Sequence, residues 1–168
     1  MDITASPLPA YERSARRGLT TWGMLLVGAM FLLAAYTVDP RDNCGPGGEC
    51  APWLVPVAGV MGFGAVAIAL AQLLANPRRG YRFDPVSGEL IWWKNRTARS
   101  PGDNGRVHPS RIASVRIDRR HEDHSLSLYG DDGERLLFFD EEVAPWPHED
   151  WAERLTHAYP HIRIEVLD

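Results

Sequence analysis

The residues best able to do chemistry cluster in the last third of the chain. His121-Glu122-Asp123-His124 puts two imidazoles and two carboxylates in four positions, a donor set that suits zinc or nickel. A helical zinc-hydrolase site needs its histidines at i and i+4. Here they are three apart, between two strand-like segments, and that spacing favours an exposed polar turn. A metal-assisted, membrane-anchored enzyme built on these four residues stays open as the alternative function. His148, His157 and His161 surround a short helical segment. His148 and His157 fall on opposite sides of that helix at 3.6 residues per turn, and His157 near its C-terminus suits the helix dipole. Asp140, Glu141 and Glu142 could do acid–base work, but no nucleophile or base accompanies them at defined spacing. No phosphate-cradling Gly-rich loop, no G-x-S-x-G and no cysteine–histidine pair in one compartment is present. The expectation is a non-enzyme with no catalytic, metal-binding or cofactor-binding residues and no cofactor.

Cys44 and Cys50 are the only cysteines, and Gly45, Pro46, Gly47, Gly48 and Glu49 separate them. A redox C-x-x-C spacing is absent, and two cysteines alone do not make a structural zinc site. Chain rich in Gly and Pro curls sharply, so a Cys44–Cys50 disulfide closing a small ring is expected.

The elements that hold these groups are set by two apolar runs, 18–38 and 52–75, neither carrying a charged side chain. A bilayer core about 30 Å thick takes roughly 20 helical residues, and backbone in lipid must satisfy its own hydrogen bonds. Two transmembrane helices joined by the 39–51 loop follow. Arg13, Arg16 and Arg17 precede the first run; Arg78, Arg79 and Arg82 follow the second; the loop has Arg41 alone. The positive-inside rule then puts the tail 1–17 and the domain 76–168 in the cytoplasm. The loop lies outside the inner membrane, where disulfides persist. A signal peptide is the rival reading of 1–38, but its apolar core would be about 7–15 residues. With no intramembrane charge, the helices read as an anchor, not a channel. Ala58 and Gly62, Ala65 and Ala69, and Ala67 and Ala71 are spaced for close helix approach.

After Asn76-Pro77 the period changes. Tyr81–Phe83 and Glu89–Lys94 flank the turn Asp84-Pro-Val-Ser-Gly88, a β-hairpin. Residues 95–105 read as loop. Ala113–Arg119, Ser125–Tyr129 and Glu134–Phe139 read as strands, with a turn at Gly130-Asp-Asp-Gly133. Pro147, Glu149 and Asp150 open a helix. Trp151, Leu155 and Tyr159 form its apolar stripe, and His161–Leu167 ends the chain as a short strand. The fold class is a membrane α-helical pair plus an α+β, mostly-β domain of about six strands and one helix. Ile91, Val115, Ile117, Leu126, Leu128 and Leu137 are its expected core.

The net charge of −4 argues against a nucleic-acid partner. Lys94 is the sole lysine, a bias of GC-rich bacterial genomes. Segment 94–120 holds eight basic residues against Asp103 and Asp118, whereas 131–153 holds nine acids against Arg135. A basic face tethered beside a bilayer is drawn to anionic lipid, and Arg16, Arg17, Arg78, Arg79, Lys94, Arg96 and Arg99 are the candidate contacts. Pairing of those charges with the acidic half competes with this reading.

A pair of membrane helices followed by Tyr81-Arg-Phe-Asp84, by His108-Pro-Ser-Arg-Ile112 leading into Ala113-Ser-Val-Arg-Ile117, and by Leu126-Ser-Leu-Tyr-Gly-Asp-Asp-Gly133 before the Trp151 helix resembles the bacterial pleckstrin-homology-like membrane proteins, the YcxB-like group among them. The resemblance implies a seven-stranded antiparallel sheet domain with one C-terminal helix, acting as an interaction or scaffold module. Membrane lipid, and another membrane protein or a second copy, are the expected partners.

Overall fold

The computed structural model describes residues 8–45, 48–120 and 125–168. They form two compact units, residues 14–76 and residues 8–13 with 77–168.

The first unit is helix α1 (Leu19–Thr37) and helix α2 (Leu54–Ala75). Both are long and apolar enough to cross a membrane. They pack through glycines. A methyl group on Gly62 would lie 2.8 Å from the Gly28 carbonyl and 2.9 Å from the Leu32 amide nitrogen, and one on Gly28 would lie 3.0 Å from Ala65 Cβ. The missing side chains let the two backbones approach. Val55, Gly62 and Ala69 line the buried stripe of α2, whereas Ala67 and Ala71 face outward with Val60, Phe63 and Leu74. The Thr21 hydroxyl donates to Gln72 Oε1 at 3.3 Å, and Arg16 Nε donates to the Leu73 carbonyl at 2.9 Å. Arg16 thereby satisfies one of the carbonyls that every helix C-terminus leaves free. Asn76 ends α2 in the left-handed conformation, at φ 44°, which Asn tolerates. Between the helices Cys44 and Cys50 form a disulfide.

The second unit holds two sheets and a helix. Strands β1 (Tyr11–Ser14), β2 (Arg78–Phe83), β3 (Leu90–Arg96) and β4 (Asp103–Val107) are ordered β1-β2-β3-β4. Strands β5 (Ile112–Asp118), β6 (Ser125–Gly130) and β7 (Arg163–Leu167) are ordered β6-β5-β7. Helix α3 (His148–Ala158) precedes β7. Alternation sends Tyr81, Phe83, Leu90 and Trp92 of the first sheet, and Val115, Ile117, Leu126 and Leu128 of the second, into one core. Trp151 and Leu155 of α3 close it. Aromatic rings run through this core: Trp92 to Phe139 at 5.5 Å, Phe139 to Trp151 at 5.3 Å and Trp151 to Tyr81 at 5.8 Å between centroids. The stripe read from the sequence is the packed one.

Several expectations are corrected. Within the expected tail 1–17, residues 8–13 belong to the second unit: Leu8 is buried and β1 lies at the sheet edge. Gly80 makes this pairing feasible, because any Cβ there would overlap the Tyr11 carbonyl. Loop 95–105 contains the start of β4, paired from Leu90↔Val107 to Lys94↔Asp103. Glu134–Phe139 forms no strand. It leaves the sheet after a single bridge, Tyr129↔Arg135, and turns at Phe138, whose φ is 62°. Leu137 is therefore 69% exposed and Phe139 takes the expected core place. Ile91 is only half-buried, on the face of β3 opposite Leu90 and Trp92. The short strand expected after the helix is present as β7, but it pairs with β5 in parallel, so the second sheet is mixed and not wholly antiparallel. Such a crossover needs an intervening segment, and α3 lies within it.

Candidate functional site

Most basic residues of the 94–120 segment are held by acids of the same unit. Lys94 Nζ lies 2.6 Å from Asp140 Oδ2 and 2.9 Å from Glu142 Oε2. Arg79 reaches the same Glu142. Arg116 meets Glu165 at 2.9 Å and lies 4.2 Å above the Tyr129 ring, while Arg119 meets Glu149 at 2.6 Å and Arg120 pairs with Asp118. Arg78 pairs with Glu12. Burial opposes the charge on Lys94, but hydrogen bonds to Asp140 and Glu142 outweigh it and raise its pKa. Burial likewise opposes the charge on Glu142, and Lys94 and Arg79 outweigh it and lower that pKa.

Arg96, Arg99 and Arg106 make no ion pair among the described residues. Arg96 and Arg99 lie at the connection from β3 to β4, and Arg106 lies on β4 opposite Ile91. Alternation puts Ile91 and Trp93 on the face of β3 away from the core. There Ile91 stands opposite Arg82 on β2 and Arg106 on β4, and Trp93 opposite Gly80 and Asn104. The connection from β3 to β4 bounds a groove of about 500 Å³, lined in part by Trp93, Arg96, Arg99, Ser100 and Asn104, with no carboxylate in its wall.

Local hydrogen bonds build this wall. Thr97 Oγ1 accepts from the amides of Arg99, at 3.3 Å, and Ser100, at 3.1 Å. Ser100 Oγ accepts from the Gly102 amide at 3.2 Å, and Asn104 Nδ2 donates to the Gly102 carbonyl at 3.1 Å. Gly102 has a φ of 65° and sits where any Cβ would overlap the Lys94 carbonyl. The Arg96 guanidinium carbon lies 5.7 Å from the centre of the Trp93 ring, within cation–π range. Trp93 is buried, and its indole Nε1 has no hydrogen-bond partner among the described residues.

Of the sequence candidates, only Arg96 and Arg99 meet here. Arg16 caps α2, Arg17 is exposed in the other unit, and Arg78, Arg79 and Lys94 are in ion pairs. His121, Glu122, Asp123 and His124 lie outside the described residues. His148 is buried at the start of α3, His157 is exposed, and the His161 Nε2 is 3.0 Å from the Pro109 carbonyl. Among the described residues no three His, Cys, Asp or Glu side chains are grouped to hold a metal ion. Trp93, Ser100 and Asn104 were not anticipated as site residues. For Trp93 the sequence carries a signal: with Ile91 it is a second large apolar residue on the face of β3 turned away from Leu90 and Trp92.

No protein-family model, curated protein or solved structure matches the chain.

Proposed function

We propose that this is a non-enzymatic, multi-pass protein of the bacterial inner membrane whose β unit is a cytoplasmic interaction or scaffold module, an accessory subunit of a larger membrane complex. One observation carries the reading. Two uncharged helices bury glycines against each other and turn Leu26, Met30, Val60 and Phe63 outward, as a lipid-embedded pair would. The arginines flanking the pair put both termini in the cytoplasm and the Cys44–Cys50 loop outside. The separate β unit, with two sheets and a covering helix, supports the pleckstrin-homology-like comparison, although its parallel β7 departs from that pattern. Membrane lipid and a second membrane protein, or a second copy, are its partners.

Reporter fusions test the placement. A fusion after Asp168 should be active only as a cytoplasmic reporter, and one inserted in the 39–51 loop only as a periplasmic one. The chain should stay in the membrane pellet after an alkaline carbonate wash. Solubilised from native membranes, it should co-migrate with a partner at fixed stoichiometry. A periplasmic Asp168 fusion, release by carbonate, or migration as a lone monomer would each overturn part of the reading.

A further inference from the structure

We propose that the groove at the connection from β3 to β4 binds a phosphate-bearing anion through Trp93 Nε1, Arg96 and Arg99, with Ser100 and Asn104 as neutral donors. The inference rests on the reading of the β unit as an interaction module and names what that module takes.

Three independent observations converge. Elsewhere in the unit Arg79, Lys94, Arg116, Arg119 and Arg120 each meet an acid, whereas Arg96 and Arg99 face a wall without one. The remaining polar side chains of the wall can donate. The Ser100 hydroxyl uses its oxygen to accept from Gly102, leaving its proton free. Asn104 spends one N–H on Gly102 and keeps the other. Finally, an indole N–H buried without an acceptor is disfavoured. An anionic oxygen bound in the groove that Trp93 lines would offer it one. A phosphate group offers several acceptor oxygens in different directions, matching donors that come from β3, β4 and their connection. A carboxylate is planar and is satisfied by one guanidinium.

The chemistry is shared by a free phosphoester and a phospholipid headgroup, and the test separates them. The full chain, reconstituted in nanodiscs with ¹⁵N-labelled tryptophan, shows an indole N–H signal for each of its six tryptophans. The signal lost in Trp93→Phe is that of Trp93. One arm titrates inorganic phosphate and then glycerol phosphate into zwitterionic nanodiscs. The other replaces part of the lipid with phosphatidylglycerol and adds no soluble phosphate. A saturable downfield shift of the Trp93 signal in either arm supports the proposal and identifies the source. The combined Arg96→Gln, Arg99→Gln variant should weaken it about tenfold or more, while Arg135→Gln leaves it unchanged. The other five signals report that the variants are folded. No shift in either arm, a shift that never saturates, or one that survives loss of both arginines would overturn the proposal. The reporter fusions, run on the same variants, tell failure of this site apart from failure of the membrane reading.

Discussion

Lys94 on β3 and Asp140, 46 positions away in the chain, are 2.6 Å apart. Glu142 and Arg79 extend the contact into a four-residue network. It ties the segment after β6 to the first sheet and uses the acidic run 140–142 as structure.

Lys94 provides a direct readout, being the only lysine. Amine reagents attack the neutral form, so modification of Lys94 should require a pH above the usual lysine range. Glu142→Gln should move that profile toward lower pH. An ordinary profile in the parent would show that the network does not form in solution. The linkage sign follows from the shifts. Lys94 is raised, so its contribution is full below the usual lysine pKa and is lost as pH rises through the folded value. Glu142 is lowered, so its contribution holds above the usual glutamate range and is lost as pH falls through the folded value. Glu142 is more than a third exposed, so solvent screens the pair and Lys94→Ala should cost only about 1 kcal/mol.

Replacing Gly62 by Ala should loosen the helical pair. The new methyl meets backbone atoms of α1 at 2.8 and 2.9 Å, and such overpacking costs about 1–3 kcal/mol. Gly64→Ala, with nothing within 4 Å, is the control. Resistance to SDS unfolding in bilayer-mimetic micelles distinguishes them; equal resistance would mean that the helices do not cross at Gly62.

Gly80→Ala should release β1. Its side chain would occupy the place of the Tyr11 carbonyl, and Gly80 holds a φ of 155°. Limited proteolysis should then cut near residues 8–14, where the parent resists. Unchanged resistance of that segment would argue against the edge pairing.

Trp151→Ala should make the β unit protease-sensitive while leaving membrane insertion intact. Trp151 is 2% exposed between Phe139 and Tyr81. Removing such a ring costs about 3–5 kcal/mol, a large share of the roughly 5–15 kcal/mol available to a small domain. Glu153→Ala, at an exposed position of α3, should change neither property. A Trp151→Ala protein as resistant as the parent would show that α3 does not seal this core.

Thiol labelling of denatured, unreduced protein should find no free cysteine, because Cys44 and Cys50 are bonded. So small a ring stabilises by only about 2–3 kcal/mol in the chain-entropy model. Cys44→Ser should therefore still insert, its helices held by Gly28 and Gly62. Loss of insertion in that variant would mean that the disulfide, not helix packing, organises the pair.

The features legible in the amino acids alone are those decided over a few neighbouring residues. The lengths of the two apolar runs follow from composition, the Asp84–Gly88 turn from residue chemistry, the Trp151–Leu155 stripe from helical period and the Cys44–Cys50 ring from proximity. Features that depend on distant segments required the tertiary structure. Strand β1 joins the sheet because Gly80, some seventy positions later, has no side chain in the way. Leu137 is exposed and Phe139 is buried because Phe138 turns the chain after one bridge, whereas period-2 alternation puts both on one face. A count of charges made 94–120 basic, but strand register and the path of 139–142 decided that Lys94 is neutralised and that Arg96 and Arg99 are not. Local patterns report how often a residue type recurs. Which charge finds a partner, and which indole is buried without one, is set by contacts between segments far apart in the chain.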